Sequence, residues 1–159
     1  MMLLGILAAQ RVLAAIVNLL TNGDFAQAGA GWTVYSRSSG GDEGTATSFT
    51  AFADGACQLT NSGGFRGSNY GGIRRDLDQL TVIGAIYRVT FDYSGALAGE
   101  AHSTLRVGGV TRLLNLPAAS GSYSTDITAS KAIALFALDV AGVANGPPVV
   151  IDNIKVTKL

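Results

Sequence analysis

The chain is poor in the groups that most enzymes and metalloproteins rely on. One cysteine, Cys57, rules out an intrachain disulfide. One histidine, His102, and that lone thiol leave no material for a His-rich zinc site or a Cys–His dyad. Charged residues make up only 14% of the chain, and the 11 basic residues balance the 11 acidic ones. A backbone of phosphates needs a basic surface, so nucleic acid is excluded as a main partner. The tightest basic group, Arg66 with Arg74 and Arg75, is followed at once by Asp76 and Asp78. There is no GxGxxG before a helix, no P-loop and no HExxH.

What is plentiful is glycine, at 21 of 159 residues. Many glycines with few charges fit short strands joined by tight turns. The length is that of one domain, large enough to hold a core without disulfides or metal.

Residues 1–20, MMLLGILAAQRVLAAIVNLL, are almost wholly apolar. A secretory signal would carry its basic residues ahead of the apolar stretch, whereas the first here is Arg11, in the middle. A transmembrane helix would hold Gln10-Arg11 at the bilayer centre, where Arg costs about 2.5–3.5 kcal/mol on insertion scales. The third reading is a segment that packs against other chains, with packing inside its own domain as the alternative. On a helical wheel Gln10, Arg11 and Asn18 form a narrow polar stripe, and a helix apolar on nearly all sides wants burial. Val12, Ile16 and Val17 would equally suit a strand. The assembly reading assigns residues 1–17 to docking, with Leu3, Leu4, Ile6, Leu7, Leu13 and Ile16 as contacts, and 18–159 to the domain.

Beyond Asn18 the pattern becomes short alternating runs broken by Gly, Asn, Asp and Ser. Strands are expected at Trp32–Tyr35, at Thr45–Phe52, and at Ala56–Thr60 after the turn signal Asp54-Gly55. In Tyr87–Tyr93, Tyr87, Val89, Phe91 and Tyr93 share one face while Arg88, Thr90 and Asp92 share the other, a half-buried antiparallel strand. Thr104–Val107 and Val110–Leu114 flank Gly108-Gly109, a two-residue hairpin. Ile133–Val140 is apolar on both faces apart from Asp139 and predicts a central strand; Pro147-Pro148 opens a last strand, Val149–Val156. Strands so spaced predict an all-β sandwich or barrel. The pairs Gly63-Gly64 and Gly71-Gly72 are read as turn material. Cys57, Phe25 and Trp32 are read as core.

Two end segments carry a family likeness. Asn18-Leu19-Leu20-Thr21-Asn22-Gly23-Asp24-Phe25, with the Gly31-Trp32 step, and Val150-Ile151-Asp152-Asn153-Ile154-Lys155-Val156 together resemble the galactose-binding-like jelly rolls of carbohydrate-binding modules of the family 4/9 type. Tyr70-Gly71-Gly72-Ile73 and Gly84-Ala85-Ile86-Tyr87-Arg88-Val89-Thr90-Phe91 agree with that pattern more loosely. The likeness covers about residues 18–159 and implies an antiparallel jelly-roll β-sandwich. It also implies a cleft aromatic at Tyr70, with Arg66, Asn69, Arg74 and Tyr123 as polar neighbours for sugar hydroxyls; the alternative for Tyr70 is a loop anchor. A structural calcium held near Asp24 and Asp152 is a further implication. Ala26 departs from it, standing where the family often has an acidic ligand, and the two aspartates can instead bond turn and neighbouring backbone amides.

The greasy start running directly into "NLLTNGDF" is also similar to small bacteriophage virion proteins. That likeness implies a capsid or tail component located in the virion, with other virion proteins and copies of itself as partners and host-surface carbohydrate as a possible contact. The alternative is a secreted or membrane-tethered carbohydrate-binding module. Catalysis is not expected. Asp42 and Glu43 are adjacent and would face opposite ways on a strand. Asp76 and Asp78 share a face with Arg74, which reads as an ion-paired strand rather than the paired carboxylates of a glycosidase.

Overall fold

A computed structural model describes residues 17–38, 42–44, 48–61, 69–96 and 103–159. These form eleven strands: β1 (Thr33–Ser38), β2 (Glu43–Gly44), β3 (Thr50–Ala53), β4 (Ala56–Leu59), β5 (Asn69–Asp76), β6 (Ile86–Ser94), β7 (Thr104–Val107), β8 (Val110–Leu113), β9 (Ser120–Thr128), β10 (Leu135–Asp139) and β11 (Val149–Lys158). One sheet has the order β2-β1-β5-β10-β7-β8 and the other β3-β4-β11-β6-β9. Every pairing is antiparallel. The all-β antiparallel sandwich expected from the alternating runs is the fold.

The alternation does its work in β6. Tyr87, Val89, Phe91 and Tyr93 are buried in the core, and Arg88 is exposed. From the facing sheet come Ile73, Leu105, Val107, Phe136 and Leu138, all buried. Cys57, Phe25 and Trp32 belong to this core, as expected. Both predicted two-residue turns form with two successive positive φ angles, 55° and 72° at Asp54-Gly55 and 58° and 78° at Gly108-Gly109. Such turns match the twist of the strands they join.

The "NGDF" stretch is a latch. Asn22 has φ 53° and its side chain binds the carbonyls of Ala28 and Ala30 and the amide of Gln27. Gly23 accepts a hydrogen bond from the Ile154 amide, and a Cβ on Gly23 would stand 2.0 Å from the Ile154 carbonyl oxygen. Phe25 then packs against Trp32, ring centroids 5.3 Å apart. The first segment thus lies along the last strand, and the pairing continues through Asn18 opposite Thr157.

Three expectations need correction. Gly71 and Gly72 are not a turn; they lie inside β5. The reason is close approach. A Cβ on Gly71 would meet the Phe49 carbonyl oxygen at 2.0 Å, and one on Gly72 would meet the Tyr35 ring at 2.4 Å. Asp78 lies beyond the end of β5 and accepts the Thr21 hydroxyl, so it forms no ion-paired strand with Arg74. The strand expected over Thr45–Phe52 begins at Thr50, after a turn at 48–49; 45–47 lie outside the described residues.

Candidate functional site

The six-stranded sheet turns one face to the core and the other outward. Side chains alternate along a strand, so the outward set is Thr33, Tyr35 and Arg37 on β1, Gly72, Arg74 and Asp76 on β5, Leu135, Ala137 and Asp139 on β10, and Thr104 and Arg106 on β7. The register aligns them in rows. Gly72 is opposite both Tyr35 and Asp139, and Asp139 is opposite Thr104.

With no side chain at Gly72, the Tyr35 ring lies across β5 and its hydroxyl donates to Asp139 Oδ2 at 2.7 Å. Thr104 donates its hydroxyl to the same oxygen at 2.6 Å and its amide to Oδ1 at 3.1 Å. Arg37 Nη1 reaches Oδ1 at 3.4 Å and also donates to the Thr104 hydroxyl. Asp139 is wholly buried and receives four donors. Burial pushes its carboxyl above the usual range; Thr104, Tyr35 and Arg37 pull the other way without cancelling that. Burial, aided by the Asp139 charge, also raises the Tyr35 phenol, so it remains a donor. A carboxylate with its lone pairs occupied is a staple across β1, β5, β10 and β7, not an acid or base poised for substrate. Arg106 extends the network. Its guanidinium stands 5.3 Å from the Tyr35 ring centroid and pairs with Glu43.

One step along the same face the character changes. Gly31, Thr33, Arg74, Arg75, Asp76 and Leu135 line an open hollow of about 480 Å3. Arg75 is engaged, donating to the Ala30 carbonyl at 2.9 Å. Arg74 and Asp76 are exposed, and neither pairs with another described residue. Ala137, opposite Arg74 and Arg106, keeps the floor between the two arginines low.

Of the residues singled out in the sequence, Arg74 lies in this hollow. Tyr70 shares its face of β5 but is only 2% exposed, so its ring presents no open stacking surface. Tyr123 is elsewhere: it lies on β9 in the other sheet, against the core, 5.1 Å from the Phe91 ring. Arg66 and the side chain of Asn69 lie outside the described residues, as do Leu3, Leu4, Ile6, Leu7, Leu13 and Ile16. Asp24 accepts the Ala26 amide at 3.3 Å, and Asp152 accepts the Asn153 amide at 2.6 Å. Asp152 stands opposite Asp92, with the Asn153 side chain donating to both carboxylates. Among the described residues no three or more His, Cys, Asp or Glu side chains gather as a metal-ligand group.

The sequence reading missed Tyr35, Thr104 and Arg106 as partners, and missed β5 as a continuous strand. The available signal was Asp139, the one acidic residue closing an otherwise apolar strand. A charge so placed needs donors on its neighbours, and Gly72 opposite is what lets a tyrosine reach it.

The fold and this face define an antiparallel β-sandwich domain with a polar outer sheet. No protein-family model and no curated protein matches the chain. Among solved structures it is similar to the enzymatically active domain of tailspike protein 4 of bacteriophage CBA120, with a TM-score of 0.53 and 9% identity. That match covers 90% of this chain and 22% of the tailspike chain. A second is the CBM22-1–GH10 part of xylanase 10B from Clostridium thermocellum, with a TM-score of 0.42, 11% identity, 91% of this chain and 28% of that one. The tailspike likeness is one of fold.

Proposed function

We propose that this chain is a non-enzymatic component of a phage particle, whose sandwich presents a glycan-contacting hollow while its apolar N-terminal segment docks it to other virion proteins. The observation that carries the first half is the pair of oppositely charged side chains, Arg74 and Asp76, unengaged by any described residue, beside the Thr33 hydroxyl and the apolar Leu135. Such a set offers donors and acceptors for vicinal hydroxyls and an apolar patch for ring C–H groups. The balanced charge favours a neutral, hydroxyl-rich ligand over a phosphate. A phage tailspike domain shares the fold, which supports a particle setting.

Binding rather than turnover is favoured by the state of the acids on this face. Among the described residues Asp139 is buried and saturated, Glu43 is paired with Arg106, and Asp76 is left by itself. Glycoside hydrolysis takes two carboxyl groups flanking one bond.

A glycan array probed with the full-length chain tests the glycan half. Binding is expected to at least one neutral oligosaccharide, lost in Arg74→Ala and in Asp76→Ala and retained in Arg88→Ala on the opposite sheet. An array on which Arg74→Ala matches the parent protein refutes this use of the hollow. For the docking half, removing residues 1–17 is expected to abolish incorporation into the particle; normal incorporation of the truncated chain refutes it.

A further inference from the structure

At one end of the sandwich the surface is apolar in a way the outer face is not. Val17, Leu19, Leu80, Val82 and Leu159, with the stems of Gln79, Tyr87 and Lys158, line a groove of about 380 Å3. Val17, Leu80, Val82 and Leu159 are 57, 64, 52 and 55% exposed. Ile86 adjoins them, accepting the Leu159 amide at 2.9 Å. Single exposed apolar residues are ordinary, but a lined groove of them marks a contact surface.

The chain itself supplies an occupant of matching chemistry. Residues 1–16, attached at the rim through Val17, contain one charge, Arg11, and are otherwise nearly all apolar. Asn18 and Leu19 run antiparallel to β11 through the Asn18–Thr157 bridge and the Leu19 amide to Val156 carbonyl bond of 2.7 Å. Val17, the residue before them, therefore stands at the Lys158 end of β11, where it lines the groove. From Ile6 to Val17 there is no Gly, Pro, Asn, Asp or Ser. These are the residues that reverse a chain. An abrupt return onto the chain's own groove therefore has no local device to make it.

We infer that the groove receives the N-terminal segment of a second copy of this chain, so that copies associate by exchanging apolar segments. This rests on the docking role proposed above and names one partner for it; the glycan hollow lies on a different surface and takes no part.

Sedimentation equilibrium of the full-length chain and of two variants tests the exchange. Leu80→Glu puts a charge in the groove, and Leu13→Glu puts one in the segment. The parent chain is expected to be oligomeric at micromolar concentration, and each variant alone to be monomeric with an unchanged far-ultraviolet circular dichroism spectrum. Mixing the two variants should restore association, because the intact segment of one meets the intact groove of the other. A monomeric parent chain overturns the inference, whatever the glycan array shows. So does an oligomer that persists in Leu80→Glu, which would put the segment elsewhere, or a mixture that stays monomeric, the result expected if each segment covers its own groove.

Discussion

Replacing Gly72 by alanine isolates the contact on which the outer-face network depends. The backbone at Gly72 is not in the left-handed region, so alanine meets no φ penalty there. By itself the change should stabilise by about 0.4–1 kcal/mol through the unfolded chain. The new Cβ, however, would stand 2.4, 2.6 and 2.7 Å from three carbons of the Tyr35 ring. The ring must lift, and the 2.7 Å bond from its hydroxyl to Asp139 is lost. A hydrogen bond to a charged group contributes about 1.5–3 kcal/mol, and overpacking adds about 1–3 kcal/mol. The net expectation for Gly72→Ala is a loss of about 1.5–5.5 kcal/mol, a large share of the about 5–15 kcal/mol that holds a domain folded.

Urea unfolding followed through the single tryptophan, Trp32, which is buried in the core, measures this directly. The decisive comparison is the same substitution made in a Tyr35→Ala background. There the ring is gone, the obstruction is absent, and Gly72→Ala should be neutral or slightly stabilising. The sign of the glycine effect therefore depends on residue 35. Equal costs in the two backgrounds would show that the ring does not lie over β5, and the assignment of Asp139 as a staple reached across a glycine would fail with it.

Other consequences follow from separate parts of the molecule. Gly23→Ala should cost more than about 2 kcal/mol by the same urea assay, because its Cβ would meet the Ile154 carbonyl oxygen, a backbone atom that cannot turn aside, at 2.0 Å; a midpoint within error of the parent protein would contradict the latch. The Cys57 thiol is buried and its pKa is pushed up to about 12 by that burial, so a thiol reagent at pH 8 should label the native protein no faster than it unfolds and label it promptly in urea. Asp139 has a raised pKa in the folded state, so its carboxyl favours folding most when protonated, and that contribution falls as pH rises from the unfolded value, about 3.9, through the folded one. The cost of Asp139→Asn should accordingly be smaller at pH 7 than at pH 3. Asp92 has the opposite sign. Hydrogen bonds from Ser122 and then Asn153 lower its pKa, so its contribution is present above about 3.9 and disappears as pH falls through the lowered value. For Asp92→Asn the cost should therefore be larger at pH 7 than at pH 3, and urea midpoints across that range test both signs.

How much of this was written in the sequence depends on the range over which each feature is specified. β6 was legible because Tyr87, Val89, Phe91 and Tyr93 carry their own period of two, and the Asp54-Gly55 and Gly108-Gly109 hairpins because two residues fix each turn. β5 was not. In Tyr70-Gly71-Gly72-Ile73 the glycines look like chain-reversing residues, and they would be if their neighbours in space were water. They are strand residues because the Phe49 carbonyl and the Tyr35 ring occupy the places where side chains would be. Both contacts come from other strands or loops, more than twenty residues away, and no local window contains them. The same holds for β9, whose alternating Ser, Thr and Asp residues lack the apolar face that announces a strand; its place is set by nine paired positions along β6. The candidate site divides on the same line. Arg74 is named through the family likeness, as a polar neighbour of Tyr70. Its neighbour in the hollow, Thr33, is brought to it by the β1–β5 register, and the Tyr35–Asp139 staple joins residues 104 apart in the chain. A polar face of this kind is a property of strand order, and a sequence discloses it only through its misfits: a charge closing an apolar strand, and a glycine pair where the pattern of a sheet continues on both sides.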